Sequence, residues 1–194
     1  MQQSASEQKQ HSHRYRLLDG MTAAVARKGY SAVTIADVVA AAGVSKRTFY
    51  EHFSGKEDCL LAGYVKGSAA MMAAVRQELS LGAGQSNLIG SVLETYLGFL
   101  DRDPQLAATL LIEVQRSGAE GRRIYRRNNL ELAELIRDQA ARCDGPPGSF
   151  DLDQSIALVG GINELILSHA EAAPTVPFRT LLPAMTRFVQ AVVG

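Results

Sequence analysis

Apolar residues recur at three- and four-residue intervals along most of this chain, and no segment alternates every second residue as persistently as a strand. That pattern predicts an all-α protein. From Arg14 onward, Leu17, Leu18, Met21, Ala24 and Val25 fall on one helical face. Arg27 and Lys28 put positive charge in the last turn, and Gly29 is placed to end the helix. Residues 1–12 have no apolar period and are rich in Gln and Ser, which predicts a disordered tail.

The next two segments are short and closely punctuated. Thr34 is a natural N-cap with Asp37 three residues on, flanked by Val33 and Val38 as a hydrophobic staple. Ile35, Val38, Val39 and Ala42 form one stripe, and Gly43 offers a left-handed stop. Ser45 repeats the device as the following N-cap, with Val44 and Phe49 as its staple and Phe49 and Phe53 one turn apart facing inward. Two capped helices separated only by Ala42-Gly43-Val44 cannot run antiparallel. They must cross steeply, as in a helix-turn-helix.

The rest continues in helical period. Leu60, Tyr64, Ser68, Met71, Val75 and Leu79 share a line within 56–79, which Gly82-Ala83-Gly84 breaks. Further helices are expected at 86–100, 104–116, 120–143, 151–170 and 178–193, with Gly145-Pro146-Pro147-Gly148 as the clearest linker. In 151–170 two apolar stripes stand side by side, one through Leu152, Ile156, Val159, Ile162 and Ile166, the other through Leu158, Gly161 and Leu165. A helix apolar on two faces is expected to be buried on both.

Composition changes this picture in one respect. The formal net charge is zero, but residues 1–56 hold eight Lys or Arg against four Asp or Glu, leaving +4 there and −4 in the remainder. A basic front on an acidic body suits a polyanion partner at one end only. With Phe49 and Phe53 inward, Lys46, Arg47 and Tyr50 project outward from the second helix of the motif, the part that enters the major groove in such motifs. Arg47 can pair with a guanine edge or with Glu51 at i+4. Ser45, Thr48 and Tyr50 offer hydroxyls suited to phosphate oxygens.

Cys59 and Cys143 match no metal or redox spacing, and no apolar run is long enough to span a bilayer. His11 and His13 read as part of a solvated segment. The expected location is cytoplasmic, with no cofactor and no metal. No Ser-His-Asp set, phosphate loop or nucleotide fingerprint is visible, so the protein is not expected to be an enzyme.

The stretch from Ala24 to Leu61 contains KGY, TIAD, AAGVS, TFYEHF and KE in that order and spacing, and it resembles the DNA-binding domain of the TetR/AcrR family of regulators. Val39 and Gly55 depart mildly from the family pattern. The resemblance implies an N-terminal three-helix DNA-binding domain over 13–60 and a larger helical ligand-binding and dimerisation domain over 61–194. It also implies a sequence-specific regulator of transcription, a repressor released from operator DNA by an unidentified small-molecule effector. By the same resemblance Tyr50, His52 and Lys56 would clamp the DNA backbone, with Thr34 and Arg14 helping from the flanks; His52 is otherwise a core-edge residue.

The resemblance further implies a homodimer through the last two helices, where Gly160-Gly161 would permit close approach. The effector pocket should lie between residues 56 and 143. Met71, Met72, Tyr96, Phe99 and Tyr125 are either its lining or plain core, and Asn163 and His169 are polar residues on an apolar helix. The cluster Arg122, Arg123, Arg126 and Arg127 could hold an anion or form a solvated face. The short Phe53-Ser54-Gly55-Lys56 joint would couple the two domains.

Overall fold

The computed structural model describes residues 2–81, 88–140, 150–173 and 175–193, and every regular element among them is helical. In order these are α1 (Gln2–Lys28), α2 (Ile35–Ala42), α3 (Lys46–His52), α4 (Lys56–Leu81) and α5 (Leu88–Leu100), then α6 (Pro104–Arg116), α7 (Gly118–Ala140), α8 (Leu152–Ala172) and α9 (Leu182–Val193). Short 3₁₀ turns at Tyr30–Ala32 and Phe178–Leu181 precede α2 and α9.

Three of the boundary differences from the sequence expectation have a clear physical cause. The polar stretch read as a disordered tail is helical from Gln2, continuous with α1. No Gly or Pro interrupts residues 2–19, and Gln, Ala, Glu and Lys are good helix formers, so the helix continues past its apolar face. The final helix starts at Leu182 rather than 178, because Pro183 has no N–H and its ring would clash with the carbonyl of Arg179 in a continuous α-helix. Helix α7 starts at Gly118, whose φ of 54° turns a sharp corner out of α6. The Gly82–Gly84 break, the Gly145–Gly148 linker and Cys143 lie outside the described residues.

The N-terminal core gathers Leu17, Leu18, Met21 and Val25 of α1 with Val38, Phe49, Phe53 and Leu60. A larger core joins α4 to α9, with Val75, Leu97, Leu158, Ile166, Phe178 and Met185 at its centre. Helix α4 runs through both, since Cys59 and Leu60 belong to the first and Val75 to the second. Leu106 and Leu110 of α6 also pack on the first core, so two helices of the larger domain touch the smaller one.

In the single chain one apolar face of helix α8 is buried and the other is open. Leu158, Val159, Ile162 and Ile166 are buried, whereas Ile156 and Leu165 are 45% and 36% exposed in the single chain. Gly161 does not face outward. A Cβ there would lie 2.7 Å from Phe188 Cζ, so this glycine lets α9 approach α8 within one chain, while Gly160 faces open space.

Candidate nucleic-acid interface

The reading head is assembled by local hydrogen bonds. Thr34 Oγ1 accepts from the Asp37 N–H at 3.3 Å while Asp37 Oδ2 accepts from the Thr34 N–H at 2.9 Å, closing a capping box on α2. Gly43 ends that helix at φ 60°, ψ 41°, the left-handed conformation glycine adopts without penalty. Ser45 Oγ accepts from the Thr48 N–H at 3.1 Å and starts α3. With Phe49 wholly buried and Phe53 2% exposed, α3 has its rotation fixed, and Lys46, Arg47 and Tyr50 face solvent.

Of the residues expected to meet DNA, Lys46 is exposed and makes no salt bridge with a described residue. Arg47 projects a side chain 90% exposed and shares its Nε with Glu51 at 3.1 Å, an exchangeable surface pair. Tyr50 is 59% exposed, with its ring edge-on to Phe49. The Ser45 and Thr48 hydroxyls bond each other at 2.9 Å. Arg14 lies over the Phe53 ring at 5.1 Å, which brings it to the base of α3.

Lys56 and His52 are both partly buried. Lys56 is turned inward, donating to the Tyr30 carbonyl at 3.0 Å and lying 4.4 Å over the Tyr30 ring, so it ties the start of α4 to the turn before α2. Burial, reinforced by the charges of His13 and Arg14, holds the His52 imidazole below its ordinary pKa. That favours the neutral imidazole in the free protein, which still has an N–H to offer a phosphate.

Sequence reasoning missed Arg16 and Gly20. The Arg16 guanidinium donates to the Gly43 carbonyl at 2.8 Å, pinning the turn of the motif from α1. A Cβ at Gly20 would lie 2.7 Å from the Val38 carbonyl oxygen, so α1 and α2 cross there in backbone contact. Neither residue breaks the apolar period, and the partner of each is over fifteen residues away, beyond the reach of any local pattern. Asp58 adds a third link: it accepts from the Ser54 N–H at 2.9 Å and bridges the short joint between α3 and α4.

A cavity of about 460 Å³ opens between α1, α4, α5, α6, α7 and α8. Met71, Met72, Tyr96, Phe99 and Tyr125 all line it, as does Asn163. Leu18 and Thr22 of α1 are also part of its wall, so the cavity touches the reading head directly. His169 lies elsewhere, 3.0 Å from the Val176 carbonyl and against Phe178. Arg122, Arg123, Arg126 and Arg127 are exposed, with Arg123 paired to Glu120, so they form a solvated face. No described helix is long and apolar enough to cross a membrane.

A capped helix-turn-helix with a basic, solvent-facing second helix, carried on a larger helical body, defines a sequence-specific DNA-binding regulator of transcription. Residues 17–62 match the family model of bacterial regulatory proteins, tetR family. No curated protein is detectably similar in sequence. Solved structures share the whole fold. FadR from Bacillus subtilis in complex with stearoyl-CoA superimposes with a TM-score of 0.71 at 17% identity, over 93% of this chain and 97% of that one. The fatty acid degradation regulator FadR from Bacillus halodurans gives 0.68 at 16% identity over 93% and 94%. A tetR-family regulatory protein from Rhodococcus RHA1 gives 0.63 at 20% identity over 94% and 97%.

Proposed function

We propose that the protein is a homodimeric repressor that leaves its operator when a small molecule occupies the cavity beneath the reading head. The observation that carries this reading is the shared wall: Leu18 and Thr22 belong to α1, and the same cavity is lined by Met71 and Met72 of α4. A ligand that fits only one placement of α4 against α1 would re-aim α3, because only Phe53 to Gly55 separate α3 from α4. A hundredfold loss of DNA affinity needs about 2.7 kcal/mol of difference in ligand binding between the two placements. The fold is shared with FadR in complex with stearoyl-CoA, which supports a small-molecule effector.

For the interface itself, Arg47 and Lys46 would read base edges, with Tyr50, Ser45 and Thr48 on phosphates and Arg14 and His52 at the flank. Thr34 and Lys56 act in this reading chiefly by holding the head together. The dimer would form through the outward face of α8 and through α9, where Ile156, Leu165 and Val192 are exposed on the single chain and Gly160 leaves room for close approach. Two heads related by a two-fold axis would then read a near-palindromic operator.

The test is a mobility-shift titration on genomic fragments at several salt concentrations. Wild type should select fragments with an affinity that falls steeply with salt. A folded Lys46, Arg47, Tyr50 triple-alanine variant should lose selection and show a shallower salt slope. Undiminished selection by that variant would overturn the placement of the interface on α3.

A further inference from the structure

Among the described residues, charge in the cavity is confined to its rim. Asp19, Arg102 and Asp103 are exposed and Lys66 is half-buried, and each is already engaged. Lys66 Nζ donates to Asp19 at 2.9 Å, Arg102 lies over the Phe99 ring at 4.7 Å, and Asp103 caps α6 by accepting from the Leu106 N–H at 3.0 Å. Two cations and two anions leave the rim neutral. Deeper polar groups are phenols and amides. Burial pushes the hydroxyls of Tyr64, Tyr96 and Tyr125 above the ordinary tyrosine range, so they remain protonated and uncharged at neutral pH. A carboxylate or phosphate drawn past the rim would lose its water and meet no cation among the described residues there.

Asn163 supplies an independent observation. It is 7% exposed, lines the cavity from α8, and its Nδ2 has no hydrogen-bond partner. Asn128 Nδ2 also lacks a well-aligned partner, although its amide is close enough to Tyr64 to oppose the burial shift of that phenol. A buried donor without an acceptor destabilises the free protein. Kept in a mainly apolar wall, it is the kind of convergent polar group that orients a ligand.

Resting on the reading of this cavity as the effector site, we propose that its ligand is an uncharged, mainly apolar molecule whose carbonyl oxygen accepts from Asn163. A coenzyme A thioester, whose phosphates call for basic side chains at the mouth, does not match the neutral rim.

The test uses the intact protein without DNA and three probes on one skeleton: methyl 2-naphthoate, the 2-naphthoate anion and 2-ethylnaphthalene. The chain has no tryptophan, so naphthyl fluorescence reports binding directly. The ester should bind at least about tenfold more tightly than the anion and severalfold more tightly than the hydrocarbon. Asn163→Leu should erase the ester's advantage over the hydrocarbon, retain hydrocarbon binding, and raise the Tm of the ligand-free protein. A residue serving only structure would lower it.

Equal or tighter binding of the anion, displacement of the ester by stearoyl-CoA, or an ester advantage that survives Asn163→Leu would each overturn the proposal. Hydrocarbon binding with no gain for the ester overturns the polar specificity and leaves the effector cavity standing. If none of the three probes binds, the effector cavity falls with it.

Discussion

Asp37 accepts from three donors on two elements: the Thr34 N–H, the Thr34 hydroxyl and the Lys28 ammonium. The hydrogen bond from Lys28, then those from Thr34, hold its carboxyl well below the usual range. A carboxyl depressed in the folded state contributes stability that is complete above the ordinary carboxyl pKa and is lost as pH falls through the folded value. Asp37→Asn should therefore lower the urea midpoint at pH 7, and the gap from wild type should narrow as the solution is taken below about pH 4. A gap that stays constant with pH would show that charge at Asp37 does not matter. The capping box was legible in the sequence because both partners lie within one turn. Lys28 was legible only as a helix-end charge, since its carboxylate partner is nine residues on and across a turn.

Among the elements, α2 and α3 matched their expected limits because each has its own N-cap and α2 its own glycine stop. What no local signal gave is how α1 crosses them. Gly20 stands where two backbones meet, and a methyl group there must push α2 away from α1. Gly20→Ala should destabilise the domain by about 1–3 kcal/mol, as overpacking does, despite the better helix propensity of alanine. Thermal unfolding measures the first effect. A DNA titration of the still-folded variant should show weakened binding although no base-facing residue has changed. Unaltered stability would mean that the crossing is looser than the structure has it. The last helix teaches the converse lesson. Its apolar period reads smoothly from Phe178, yet Pro183 delays the α-helix to Leu182 by a steric rule that periodicity does not express.

For the whole molecule, the outward face of α8 is where a second chain would be read. Ile156→Glu introduces a charge on that face without disturbing the buried line of Leu158, Val159, Ile162 and Ile166. Sedimentation should find the wild type as a dimer and the variant as a monomer that keeps its helical circular dichroism. A variant that still sediments as a dimer would move the interface elsewhere. Gly161→Arg is not an equivalent test, since it would drive a side chain into Phe188 of its own chain. The sequence by itself determined the helical class, the caps and turn of the reading head, and which side chains α3 turns to solvent. All of these are set by neighbours within a turn or two, where spacing alone decides geometry. Tertiary structure alone decided that Arg16 pins the turn, that Lys56 folds inward onto Tyr30, and that Leu18 and Asn163, some 145 residues apart, line one cavity. Those contacts come from packing between distant segments, and a helix face carries no mark of which distant face will meet it.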